Sequence, residues 1–76
     1  MRVIVVGYGV QGPKRRAYAG DDFVGIVDPF HADANWARVE GVPLESYDAA
    51  LVCTPDAPKV EILSYLLGRG KHVLVE

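Results

Sequence analysis

A glycine-rich turn is the part of this chain whose residue types and spacing could bind a ligand. The motif Gly7-Tyr8-Gly9-Val10-Gln11-Gly12 directly follows Val3-Ile4-Val5-Val6, a β-branched run typical of a strand buried on both faces. Gly7 permits a tight turn, Gly9 lets a pyrophosphate approach the backbone, and Gly12 lets the next helix pack close to the sheet. The N–H groups that open that helix favour a phosphate.

Asp28 is the second candidate, because it closes the next apolar strand, 21 residues after Gly7. Its carboxylate would accept hydrogen bonds from the hydroxyls of an adenosine ribose, and would repel a 2′-phosphate, which favours NAD over NADP. Alternatively, Asp28 caps the turn that Asp28-Pro29 opens. The basic run Lys14-Arg15-Arg16 is interpreted as a solvated helix face, although one of its side chains could still reach a phosphate.

The elements that must position these residues alternate between strand and helix patterns. Strands are predicted at 3–6, 23–27, 49–53 and 71–76, with a short edge strand at 42–44, and helices at 11–19, 32–40 and 58–69. Such alternation indicates a single α/β domain over residues 1–76. We expect a Rossmann-type parallel sheet of about five strands in the order 3-2-1-4-5, with helices on both faces. Its ligand crevice would lie at the carboxyl ends of strands 1 and 4.

Composition excludes several classes of protein. Half of the residues are hydrophobic and 24% are charged, which is a globular composition, and the net charge of −2 points to neither nucleic acid nor an anionic membrane. Cys53 is the only cysteine, so no intrachain disulfide or zinc motif is expected, and we interpret it as a small core residue. With no apolar run of ~20 residues and a first strand at Val3 that leaves no room for a signal peptide, we expect a cytoplasmic protein.

Four pieces in order carry a resemblance to a known family: Val3–Gly12, Asp28-Pro29, Val52-Cys53-Thr54-Pro55, and Gly70-Lys71-His72-Val73-Leu74-Val75-Glu76. With these, almost the whole chain resembles the N-terminal half of the Gfo/Idh/MocA family, the glucose–fructose oxidoreductase and inositol dehydrogenase group. That family consists mostly of NAD- or NADP-dependent oxidoreductases acting on sugars, cyclitols and related polyols. The resemblance therefore implies a dinucleotide cofactor and a small-molecule substrate.

By this resemblance, the Thr54-Pro55 turn would border the cofactor near its ribose and nicotinamide end. Glu76 would match the glutamate of the family's Glu-Lys-Pro motif, near the nicotinamide ribose. Tyr8 would either pack along the cofactor or lie on the surface. The family's catalytic lysine and substrate domain would lie beyond Glu76, so no catalytic residue is expected within this chain.

Two other readings of the same residues remain open. The chain could be a non-catalytic nucleotide-binding or assembly module that retains only the fold. A methyltransferase also uses a glycine turn and an acidic residue after strand 2, although the Thr-Pro turn and the last strand argue against that class. Because the part of the family's proteins that covers the last strand would lie beyond Glu76, we expect this strand to expose an apolar edge. Such an edge should lead to self-association into a homo-oligomer.

Overall fold

A computed structural model of the chain describes residues 1–7, 9, 12–54 and 56–75. Four strands and two α-helices form the frame: β1 (Val3–Val6), α1 (Gly12–Ala19), β2 (Phe23–Val27), β3 (Ala49–Val52), α2 (Asp56–Gly68) and β4 (His72–Val75). Short 3₁₀-helices lie at Gly20–Asp22, Val39–Gly41 and Leu44–Ser46. These four strands and two α-helices therefore form close to where the sequence predicts them.

All four strands form one parallel sheet in the order β2-β1-β3-β4. Ile4 of β1 is level with Gly25 of β2 and with Ala50 of β3, which in turn is level with Val73 of β4. The predicted α/β class and parallel sheet are confirmed. The predicted five strands in the order 3-2-1-4-5 are wrong, because residues 42–44 form no strand, and the helix predicted at 32–40 is also absent.

A two-residue bridge takes the place of the missing fifth strand. The amides of Asn35 and Trp36 donate to the Ile26 carbonyl at 2.9 and 3.1 Å, and the Asp28 amide donates to the Trp36 carbonyl at 2.9 Å. The Asn35 side-chain oxygen accepts from the Ile26 amide at 2.9 Å. These contacts pair the end of β2 with Asn35 and Trp36, and Pro43 has no amide hydrogen with which to extend a strand ladder at 42–44.

The main hydrophobic core lies on one face of the sheet, beneath α2 and the connection from 36 to 47. Its buried members are Ile4, Val6, Val27, Val39, Val42, Tyr47, Ala50, Val52 and Leu66. Val5, also fully buried, points to the opposite face by strand alternation, and α1 packs against β1 there. Helices thus cover both faces, as right-handed crossovers leading to opposite edges of the sheet require.

Lys71 anchors the connection that carries part of this core. Its ammonium donates to the carbonyls of Leu44 and Tyr47 at 2.6 and 2.7 Å and lies 4.4 Å from the centroid of the Tyr47 ring. Tyr47 is fully buried, and its hydroxyl has no hydrogen-bond partner among the described residues. Burial raises the pKa of that hydroxyl, the nearby Tyr65 raises it further, and Arg69 lowers it.

A polar contact between Arg2 and Asp48 aligns the starts of β1 and β3. The Arg2 amide donates to one Asp48 carboxylate oxygen at 2.8 Å, and the guanidinium lies 3.3 Å from the other. The amide bond first, and then the guanidinium, lower the pKa of the Asp48 carboxyl. The two neighbouring strands therefore enter the sheet together, and their carboxyl ends emerge side by side.

The last strand is an edge of the sheet, pairing in the described residues only with β3. Leu74 and Val75 are 58% and 43% exposed there. An apolar edge of this kind can pair with another chain. Self-association itself stays a prediction.

We expect Gly25→Ala to destabilise the protein by about 1–3 kcal/mol, because a Cβ there overpacks the core. It would lie 2.6 Å from Trp36 Cζ3 and 2.8 Å from Asn35 Oδ1. The matched control is Gly68→Ala in α2, where a Cβ meets nothing within 4 Å, and which should stabilise by about 0.5–1 kcal/mol. Urea unfolding measures both, and equal effects would contradict the packing described for Trp36.

We expect Tyr47→Phe to raise the free energy of unfolding by about 1 kcal/mol, because it removes a buried hydroxyl that has no hydrogen-bond partner in the described part of the chain. Tyr18→Phe is the control, since Tyr18 is 78% exposed and its hydroxyl is hydrated in both states. Thermal and urea unfolding report the difference. A loss of stability in Tyr47→Phe would show that the hydroxyl has a partner.

Candidate functional site

Gly7 occupies the point where three strand ends meet. Its φ is +83°, and a Cβ at this position would lie 2.7 Å from Thr54 Cγ2 and 3.1 Å from the Thr54 amide nitrogen. The Gly7 amide donates to the Val27 carbonyl at the end of β2, at 2.7 Å. Glycine is therefore required both by the left-handed backbone and by the close approach of the chain after β3.

A cleft of about 640 Å³ opens beside Gly7, at the carboxyl ends of β1, β2 and β3. This volume lies within the range of small-molecule sites, about 300–1,000 Å³. The apolar part of the lining includes Val6, Val27, Val39 and Ile62, and the charged part consists of Asp28, Arg38, Glu40 and Glu61. Apolar and charged side chains thus both line the cleft.

Three of the predicted site residues come together in this cleft: Gly7, Asp28 and Thr54 all line it. Gly9 is exposed and does not line the cleft, and a Cβ added there would meet nothing within 4 Å. Gly12 is the first residue of α1. The remaining predicted positions, Tyr8, Val10, Gln11, Pro55 and Glu76, lie outside the described residues.

The Asp28 carboxylate makes the turn contact that the sequence offered as an alternative role. Its Oδ1 accepts from the Phe30 amide at 2.8 Å, and the side chain is half-buried at the edge of the cleft. A carboxylate has about four lone-pair positions, so capping this turn and accepting a hydrogen bond from a ligand hydroxyl are compatible. The structure thus shows the turn contact, and the role toward a ribose stays a prediction.

Thr54 borders the cleft through its contact with Gly7. Its hydroxyl is buried and has no hydrogen-bond partner within the described part of the chain. Buried hydroxyls are normally hydrogen-bonded, so an unpaired one beside a cleft is a position where a ligand group could be accommodated after a side-chain rotation.

Sequence reasoning missed the charged residues Arg38, Glu40 and Glu61 in the cleft lining. Arg38 and Glu40 lie in the segment predicted as a helix, whereas the structure brings that segment across β1 to the mouth of the cleft. Glu61 lies on the exposed side of the second turn of α2. The position of α2 directly after the Thr-Pro turn was the available signal, since the first turns of a helix after a parallel strand face the ligand crevice.

The basic residues of α1 do not line this cleft. The Arg16 guanidinium lies 4.7 Å from the centroid of the Phe23 ring, and that of Arg15 lies 5.8 Å from the Tyr18 ring. Arg15 also lines a separate cavity of about 240 Å³ with Leu51, Cys53, Leu74 and Val75, on the other face of the sheet. No residue of the basic run lines the cleft among the described residues.

Cys53 is half-buried beside Arg15. Burial raises the pKa of its thiol, and Arg15 and Lys59 oppose that rise. Cys53 follows the end of β3 and does not belong to the main hydrophobic core, so the interpretation as a core residue is not supported.

Comparisons with known protein families, curated proteins and solved structures found no match to this chain. Within residues 1–7, 9, 12–54 and 56–75, no helix is long and apolar enough to cross a membrane, and no three potential metal ligands cluster. A functional conclusion therefore depends on the geometry of the cleft.

We expect Gly7→Ala to destabilise the protein by about 2–4 kcal/mol, because the substitution combines left-handed strain with a collision at Thr54. Gly9→Ala is the matched variant within the same motif and should change stability by less than about 0.5 kcal/mol, since its side chain enters open space. Urea unfolding distinguishes them. Equal losses would mean that Gly9 is also required by the fold.

Proposed function

We propose that this chain is the NAD(P)-binding domain of an oxidoreductase that transfers hydride between a nicotinamide cofactor and a sugar, cyclitol or similar polyol. The observation that carries the proposal is the cleft in which Gly7, Asp28 and Thr54 meet. From β1 the chain crosses to β2 on one side, and from β3 it crosses to β4 on the other. Parallel α/β sheets bind nucleotides at such a reversal of direction.

The described residues fit a dinucleotide. The Gly7 turn leads to Gly9, whose surroundings are open, and to α1, whose N-terminus at Gly12 would favour the pyrophosphate. Asp28 would hold the adenosine ribose, and Thr54 would border the cofactor farther along. The bound nicotinamide would supply the hydride chemistry, while this chain binds and orients the cofactor. Tyr8, Val10, Gln11, Pro55 and Glu76 belong to the proposed site by sequence motif alone.

The charges of the cleft favour NAD over NADP. Asp28, Glu40 and Glu61 place three carboxylates in the described lining, against one guanidinium from Arg38. A 2′-phosphate would add negative charge beside an already acidic set of side chains. Arg38 partly offsets this repulsion, so the preference should be moderate.

The alternative is a non-catalytic nucleotide-binding or assembly module. The exposed Leu74 and Val75 at the edge of the sheet favour this reading, since an apolar edge promotes association with a second chain. A homo-oligomer and a cytoplasmic location are part of our proposal under either reading.

We expect calorimetric titration to show saturable binding of NADH, with NADPH bound about tenfold more weakly, a difference of about 1.4 kcal/mol. Asp28→Asn keeps an oxygen for the Phe30 amide but removes the negative charge. It should therefore lower the affinity for NADH and reduce the ratio of NADH to NADPH affinity to about threefold or less. Asp21→Asn, an exposed change in the Gly20–Asp22 turn, is the control and should change neither affinity.

Two outcomes would contradict the proposal. If neither dinucleotide binds, the cleft is not a dinucleotide site, and the assembly module becomes the better reading. Sedimentation would then have to show a dimer or larger species. If Asp21→Asn and Asp28→Asn lower the affinity for NADH equally, binding depends on the overall charge of the protein rather than on contact with Asp28.

A further inference from the structure

Phe30 is the most exposed large hydrophobic side chain of the described residues, at 95%. It also lines the cleft, two residues after Asp28. Single exposed hydrophobic residues are common on protein surfaces, so exposure alone would mean little. The combination is informative, because an aromatic ring with almost no contact to its own protein borders a cleft that has an apolar wall.

The backbone that carries this ring is held in place. The Phe30 amide donates to the Asp28 carboxylate at 2.8 Å, and the Pro29 ring restricts the preceding φ. One residue earlier, the Asp28 amide donates to the Trp36 carbonyl at 2.9 Å, which ties this turn to the edge of β2. The backbone of Phe30 is therefore held beside the cleft, while its ring is almost fully exposed and lines the cleft without a core contact in the described residues.

We propose that Phe30 is the adenine-stacking residue of this cleft, a specificity-determining contact for a ligand with a purine base. The proposal rests on the proposed function, because it needs the adenosine half of a dinucleotide in the cleft. Aromatic rings offset-stack on bases, and such contacts contribute to affinity without requiring hydrogen bonds. Trp36 and Tyr47 cannot serve, since they pack against or within the core.

One carboxylate then serves two parts of the ligand. Asp28 would accept a hydrogen bond from the ribose, and the same group fixes the backbone of the residue that covers the base. Binding of the base and of its sugar are consequently coupled through Asp28. Removing the Asp28 side chain should lose both contacts, whereas removing the Phe30 ring should lose only the stacking.

The test compares the wild type, Phe30→Ala, Phe30→Trp and Tyr18→Ala, the last replacing an exposed aromatic outside the cleft lining. The probes are NADH and ADP-ribose, which share the adenosine half, titrated by calorimetry. Phe30→Ala should bind both about five- to tenfold more weakly, the lower part of the range for base–aromatic stacking. Phe30→Trp should restore wild-type affinity to within about twofold, and Tyr18→Ala should match the wild type.

Thermal unfolding is the control for correct folding. Phe30→Ala should leave the melting temperature unchanged, because the ring is solvated in both the folded and the unfolded state. A second readout is fluorescence: ADP-ribose should quench Phe30→Trp more strongly than it quenches the wild type, whose only tryptophan is Trp36. Full affinity in Phe30→Ala, with binding still weakened by Asp28→Asn, would overturn the stacking role and leave the dinucleotide site standing. If the wild type binds neither probe, the proposed function fails and the stacking role fails with it.

Discussion

The close approach of the β1 and β3 ends at Gly7 is the constraint on which the rest of the structure depends. A side chain at Gly7 would collide with Thr54, and its left-handed φ excludes most other residues. The Gly7 amide also bonds to the Val27 carbonyl. One glycine therefore lets three strands end at the same level, and the cleft exists because those ends are level.

The connection between β2 and β3 is the second determinant. It pairs with β2 only through Asn35 and Trp36, then crosses the face of the sheet and buries Val39, Val42 and Tyr47. Lys71, the residue before β4, donates hydrogen bonds to the Leu44 and Tyr47 carbonyls of this connection. This connection covers the core and forms no fifth strand. Residues 29–30 and 37–40 of the connection line the cleft instead.

The polarity of the cleft follows from this path. Four charged residues line the cleft: Arg38 and Glu40 belong to the connection, Glu61 belongs to α2, and Asp28 directly follows β2. Three separate parts of the chain thus set the charge that a ligand would meet. Arg15 and Arg16 of α1 contact aromatic rings elsewhere, and the only guanidinium in the described lining is that of Arg38.

Much of the frame could be predicted from the sequence. The β-branched run before Gly7, the apolar run before Asp28 and the apolar face of α2 are local patterns with periods of two or 3.6 residues, and local patterns determine local structure. The meeting of Gly7, Asp28 and Thr54 also followed, since the carboxyl ends of adjacent parallel strands lie at one edge of a sheet.

The sequence could not determine the path of residues 28–48, because their short apolar stretches fit a helix or an edge strand equally well. Burial against Ile4 and Val52 decided between them, and burial depends on residues distant in the chain. For the same reason only the tertiary structure placed Arg38 and Glu40 in the cleft and exposed the Phe30 ring beside it. By itself the sequence determined the four strands and two α-helices of the frame, whereas long-range packing decided the path of the chain between β2 and β3 and what surrounds the cleft.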